Sequence, residues 1–285
     1  MGTAKRERQK AGRQARLEQA KVAAARKKRL RFVLYGVILV GVIVGALFLL
    51  APDDDKNDVA TDTTGSTSSS SSSVPEGSPV TVAITVPPVG ETLTGVTPCP
   101  AADGTSPRTT TFAAAPPTCI DASKTYTAEV LTNEGPFTVE LDPAAAPVTV
   151  NNFVVLARYH YFDGVAFHRI IPGFMNQTGD AVGPTPGTGG PGYSIPDELP
   201  TGDAPYPEGS LAMANTGQPD SGGSQWFVTV GNGGDQLQPA YSRFGTVTTG
   251  IEVVRQINDY GDPATGQAGT PTQEVVIESI TITES

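Results

Sequence analysis

The sequence predicts a mainly β domain, a closed antiparallel barrel capped by two α-helices, preceded by a transmembrane helix and a flexible tether. Three observations predict it: short runs of alternating apolar and polar residues between residues 125 and 283, two segments with apolar residues at helical spacing, and an uncharged stretch at residues 32–51. Period-2 runs mark strands with one buried face, and many short ones joined by Gly- and Pro-rich turns favour closure.

Charge is unevenly distributed. Residues 1–31 hold twelve Lys and Arg against Glu7 and Glu18, a net of +10, whereas the rest holds seven basic and twenty-seven acidic residues, a net of −20. Residues 32–51 are twenty uncharged residues, enough at about 1.5 Å each to cross the roughly 30 Å core of a bilayer. A cleaved signal would have a shorter core and a small-residue cleavage site; Ala51-Pro52-Asp53 follows here instead. Cations stay on the cytoplasmic side. The expected protein is therefore single-pass in the cell membrane, with a cytoplasmic basic tail (1–31), an anchor (32–51) and everything beyond residue 52 extracytoplasmic. The basic tail is read as topogenic, and nucleic acid is not an expected partner.

Residues 52–79, with six consecutive serines at 68–73, bury too little apolar surface to order and form a disordered linker. Residues 80–120 are an extension, with a short strand expected over 80–86 and a loop closed by Cys99 and Cys119. In an oxidising compartment these two cysteines pair, and closing a loop of this size stabilises by about 3 kcal/mol. Two thiols without a histidine are too few for zinc.

Residues 121–285 form the main domain. Runs 125–131 and 137–141 flank Asn133-Glu134-Gly135 as a hairpin. Residues 147–160 place Val150, Phe153, Val154 and Ala157 at helical spacing, with Pro147 where its missing N–H costs little. A second helix is expected over 250–259, and further strands over 164–171, 210–214, 224–230, 244–248 and 274–283.

The candidate site lies in residues 167–180, FHRIIPGFMNQTGD, and 212–227, AMANTGQPDSGGSQWF. The first sets a permanent cation, Arg169, beside an aromatic ring, a thioether and an amide: Phe174, Met175 and Gln177. Neither supplies an activated nucleophile. Such a set suits holding an apolar ring and polarising an adjacent amide.

FHRIIPGFM with Gln177, then MAN at 213–215, GSQWF at 223–227 and RFG at 243–245 resemble the cyclophilins, a family of peptidyl-prolyl cis-trans isomerases, over about 165 residues in the same order. The resemblance implies an eight-stranded barrel, proline-containing polypeptides as substrates, no cofactor or metal, and a monomeric catalytic domain. It assigns Arg169 the catalytic role: a donor aimed at the prolyl nitrogen weakens the resonance that sets the roughly 18–20 kcal/mol rotation barrier. Phe174, Met175, Phe227 and Leu237 line the proline socket. Gln177, Ala214, Asn215 and Gln225 hold the adjacent backbone, His168 supports, and Tyr241 stands where many members have histidine. Gln236 stands roughly where many have a tryptophan that contacts cyclosporin, so the resemblance does not carry drug binding over. The rival reading is a non-catalytic proline-peptide binding module or scaffold. A third is an envelope spacer.

Three other motifs are set aside. The glycine pattern at 187–192, GTGGPG, matches a dinucleotide fingerprint but is flanked by prolines instead of a strand and a helix. No G-x-S-x-G elbow accompanies the two histidines. Asn176-Gln177-Thr178 is formally a glycosylation sequon, expected to stay unmodified because a glycan would block the pocket.

Overall fold

The computed structural model describes residues 82, 84–202 and 205–285. The basic tail, the anchor at 32–51 and the linker lie outside these residues. Among the described residues no helix is long and apolar enough to cross a membrane.

Ten strands and two α-helices make up the described chain: β1 (Glu91–Leu93), β2 (Thr109–Phe112), β3 (Tyr126–Thr132), β4 (Gly135–Leu141), α1 (Pro147–Arg158), β5 (Arg169–Ile171), β6 (Met175–Thr178), β7 (Ser210–Met213), β8 (Trp226–Thr229), β9 (Arg243–Thr249), α2 (Ile251–Asn258) and β10 (Ile277–Glu284). Eight strands form one curled sheet in the order β10-β3-β4-β9-β7-β8-β6-β5. Every pairing in it is antiparallel.

The ends of this sheet do not share a full ladder, which corrects the expected closed barrel. The run expected as one strand over 164–171 bends, and only its last three residues pair with β6. The part before it meets the chain entering β10 through a bridge at Ala166 and Val276, where Gly164 N–H donates to Ile277 O, Ile277 N–H to Val165 O and Phe167 N–H to Val275 O. Strand β6, within the first motif, was not expected as a separate element.

The β3–β4 hairpin has the expected alternation, with Tyr126, Ala128, Val130 and Thr132 buried on one strand and Phe137, Val139 and Leu141 on the other. Helix α1 buries Val150, Phe153, Val154, Leu156 and Ala157 in the main core. Its first turn lacks a local cap; the Glu198 carboxylate accepts from Val148 N–H at 3.0 Å and Thr149 N–H at 2.8 Å instead. An acceptor there satisfies donors that the helix cannot. At the centre, fully buried Trp226 meets Phe153, Phe162 and Phe167 edge-on at 5.8–6.3 Å between ring centroids.

The segment before β3 is packed on the domain. β1 and β2 pair in parallel, and Phe112 enters the main core against Tyr159. Cys99 and Cys119 form the expected disulfide, and Asn151 of α1 accepts from Cys119 N–H and donates to Pro117 O. The strand expected over 80–86 is absent from residues 84–86. The Thr85 amide is taken by the Glu274 carboxylate, and Pro87 and Pro88, which follow, have no N–H to extend a ladder.

Candidate active site

Strand alternation assembles the site. On β8, Trp226 and Val228 enter the main core while Phe227 faces the other way, joining Met175, Tyr206, Ala212 and Ile171 in a separate apolar cluster. The register aligns Arg169 with Gln177, Gln177 with Phe227 and Phe227 with Ala212. Side chains of directly paired residues project from the same face. Arg169, Gln177, Phe227 and Ala212 thus form one row across four strands.

A tight turn carries Phe174 and Met175 to this row. Phe174 N–H donates to Ile171 O at 3.0 Å, and Pro172 followed by Gly173 at φ 70° is the pairing a type II turn requires. Asn258 at the end of α2 ties the turn down, accepting from Gly173 N–H at 2.7 Å and donating to Ile171 O at 3.0 Å and to Asn176 Oδ1 at 2.7 Å. Downstream, Gly179 sits at φ 93°, and a Cβ there would fall 2.3 Å from Ser224 O. The two motifs touch at this point.

The resulting cavity has a volume of about 490 Å³ and is lined by His168, Arg169, Phe174, Met175, Gln177, Ala214, Asn215, Phe227, Leu237 and Tyr241, together with Pro186, Gly187, Gln267 and Ala268. Every expected site residue but Gln225 lines it. Gln225 lines an adjoining cavity of about 370 Å³ that shares Gln177, Gly187, Ala214 and Asn215. Gln267 and Ala268, which the sequence reading missed, come from a 3₁₀ segment, Pro263–Ala268, with no period to reveal it.

Arg169 is held by three hydrogen bonds: Nε and Nη2 donate to Gln267 O at 3.1 and 2.8 Å, and Nη1 to Gln177 Oε1 at 3.1 Å. A guanidinium has five N–H donors, so two stay free, one on each terminal nitrogen. Partial burial lowers its pKa somewhat, yet an arginine stays charged. Gln177 Nε2 in turn donates to Gln225 Oε1 at 3.0 Å, and Gln225 Nε2 to the carbonyls of Gly187 and Gly189. This relay orients both amides and ties Arg169 to the glycine loop, which Asp180 organises by accepting from Gly183 and Gly189 N–H. Of the fingerprint-like glycines, Gly189 thus bonds a carboxylate of this chain.

The remaining walls are fixed as well. Tyr241 packs edge-on against Phe227 at 5.3 Å, and its main chain is clamped by the Tyr206 hydroxyl. Asn215 Nδ2 donates to Ala240 O at 2.8 Å. Ala214 N–H is already given to Gln225 O, so the main chain there offers a carbonyl rather than an amide. Gln236 is exposed and does not line the cavity. His168 has both ring nitrogens buried without a partner. Burial pushes its pKa down to about 4, with Asp180 opposing and the Arg169 charge reinforcing, so the ring is neutral. Asn176 is only 1 % exposed and donates to Val254 O. The asparagine of the sequon therefore points inward in the folded chain, away from the cavity.

A curled antiparallel sheet thus carries a tethered arginine over a cavity walled by Phe174, Met175 and Phe227 and edged by amides. Residues 127–282, more than half of the chain, match the family model described as cyclophilin type peptidyl-prolyl cis-trans isomerase, and the chain belongs to that family. It is 43 % identical over 120 residues to peptidyl-prolyl cis-trans isomerase B of Bacillus subtilis, covering 42 % of this chain and 81 % of that one. It is 42 % identical over 176 residues to peptidyl-prolyl cis-trans isomerase A of Mycobacterium tuberculosis, covering 55 % and 92 %. The crystal structure of a cyclophilin type isomerase from Cryptosporidium parvum, also solved in the presence of the dipeptide Ala-Pro, superimposes with a TM-score of 0.50 at 29 % identity, covering 56 % of this chain and 99 % of that one.

Proposed function

We propose that this protein is a membrane-anchored peptidyl-prolyl cis-trans isomerase that acts on X-Pro bonds of extracytoplasmic polypeptides. Isomerase activity follows from family membership. The observation that carries the mechanism is Arg169, its fork tethered on one side and two N–H groups free over the cavity. Phe174, Met175, Phe227 and Leu237 hold the prolyl ring, and a free guanidinium N–H donates to the prolyl nitrogen as its lone pair leaves conjugation. The apolar side chains beside the guanidinium lower the local dielectric and so strengthen that bond. No covalent bond forms or breaks. Neutral His168 fits this role assignment, since no proton needs to move.

Anchoring through residues 32–51, a cytoplasmic N-terminus, a flexible linker at 52–79 and a monomeric catalytic domain belong to the same proposal. The anchor and its orientation are supported by the charge asymmetry across the apolar run and by the disulfide, which suits an oxidising compartment. Protease added to intact cells should cut the linker and release a fragment that isomerises a proline peptide in NMR exchange. A domain protected in intact cells and cleaved only after lysis would refute the topology, and a released domain without exchange activity would favour the binding-module reading.

A further inference from the structure

Beside the active-site cavity lies a second groove of about 410 Å³, between residues 84–92 of the extension and the loop at 180–186. Its floor is buried Ala166 and Ala181, and its rim is Val86, Val89 and Val182, which are 82 %, 95 % and 41 % exposed. These three are half of the six exposed large hydrophobic side chains among the described residues. Clustered exposed apolar residues mark binding surfaces, whereas scattered ones do not. The strap that forms the outer wall is fixed in place: Thr85 bonds the Glu274 carboxylate, Arg108 Nε donates to Pro88 O at 3.0 Å, and Gly90 N–H donates to Thr110 Oγ1 at 3.2 Å.

We propose that this groove is a second substrate subsite, which takes an apolar side chain of the polypeptide flanking the proline bound at Arg169. The proposal rests on the isomerase reading and names a substrate preference for it. His168 and Pro186 line both cavities, so a bound chain crosses a wall one residue thick, and at about 3.3 Å per extended residue the second anchor falls roughly two to four residues from the proline. Among the described residues, the only ionisable side chains lining the groove are His168 and Asp180. The Asp180 oxygens already accept from loop amides. None of these described side chains is placed to hold a charged group, whereas the valine rim and alanine floor bury an aliphatic one. Because the outer wall comes from the extension, the preference depends on residues outside the family match at 127–282.

The test uses the full-length chain in lipid nanodiscs and two fluorescent peptides with the same Ala-Pro core, one carrying Leu and the other Ser three residues away on either side. Fluorescence anisotropy should give the Leu peptide about tenfold higher affinity. In V86D/V89D, and separately in V182D, all at exposed positions, that ratio should fall to within about twofold. Equal affinities in the unaltered chain, or a preference that survives these substitutions, would overturn the subsite. Isomerisation measured on the same samples keeps the two readings apart: absent turnover of both peptides sinks the enzyme reading, while the affinity ratio still decides the groove.

Discussion

Replacing Asn258 by alanine should destabilise the domain by about 3 kcal/mol and loosen the turn that carries Phe174 and Met175. Asn258 is 4 % exposed and satisfies Gly173 N–H, Ile171 O and Asn176 Oδ1 at 2.7, 3.0 and 2.7 Å. Gly173 is exposed, so water replaces the first bond; Ile171 O keeps the Phe174 N–H, whereas Asn176 Oδ1 is buried and left bare. One orphaned acceptor at about 1–3 kcal/mol, with the lost bond to Ile171 O at about 1 kcal/mol, sets the magnitude. In a domain of this size the melting temperature should drop by about 6–12 °C. Trp226, the single tryptophan, is fully buried in the core and reports this domain alone. Because Asn176 shares the network, N176A should add less in the N258A background than in the unaltered chain, with a coupling of about 1 kcal/mol. A melting shift below about 2 °C, or simple additivity, would refute the view that this amide network holds the turn.

Reducing the Cys99–Cys119 disulfide should cost about 3 kcal/mol of stability, read as a lower Trp226 melting temperature, while turnover at 25 °C is retained because neither cysteine lines the cavity. His168, held down to about 4 by burial, stays neutral in the folded chain while the unfolded chain takes up a proton below about 6.5. Stability should therefore be lost as pH falls from about 6.5 to about 4, by up to about 3 kcal/mol, and H168Q should flatten that slope. The same neutrality predicts turnover that is flat between about pH 5.5 and 8, as direct rate measurements can check. Substituting leucine for Gln225, which removes the link between Gln177 and the glycine loop, should lower kcat/KM by about tenfold or more with Arg169 intact.

Much of the site was readable from residue types, because FHRIIPGFM and GSQWF each place their functional residues at fixed offsets on adjacent strands. Period 2 explains why Trp226 and Phe227 part company, yet the period alone cannot say which face is core; that depends on the register with β6 and β7. Gln267 and Ala268 escaped because their position depends on a 3₁₀ segment docked through its carbonyl. The bend before β5 was hidden for a similar reason, since residues 164–167 read as strand but spend their hydrogen bonds on the chain entering β10. The strand expected over 80–86 is absent from residues 84–86, where the Thr85 amide bonds the Glu274 carboxylate instead of a strand partner. The groove beside the site was invisible to sequence, since it joins residues 84–92 to a loop almost a hundred positions later.

The central claim is that Arg169 lowers the rotation barrier rather than merely binding proline. Peptide affinity and cis-trans exchange should be measured by NMR on the same full-length samples of the unaltered chain, R169A and R169K. Exchange should fall by about a hundredfold or more in R169A, with affinity changed by less than about tenfold and partial recovery in R169K. Exchange that persists in R169A, or that falls only in proportion to lost binding, would contradict the account.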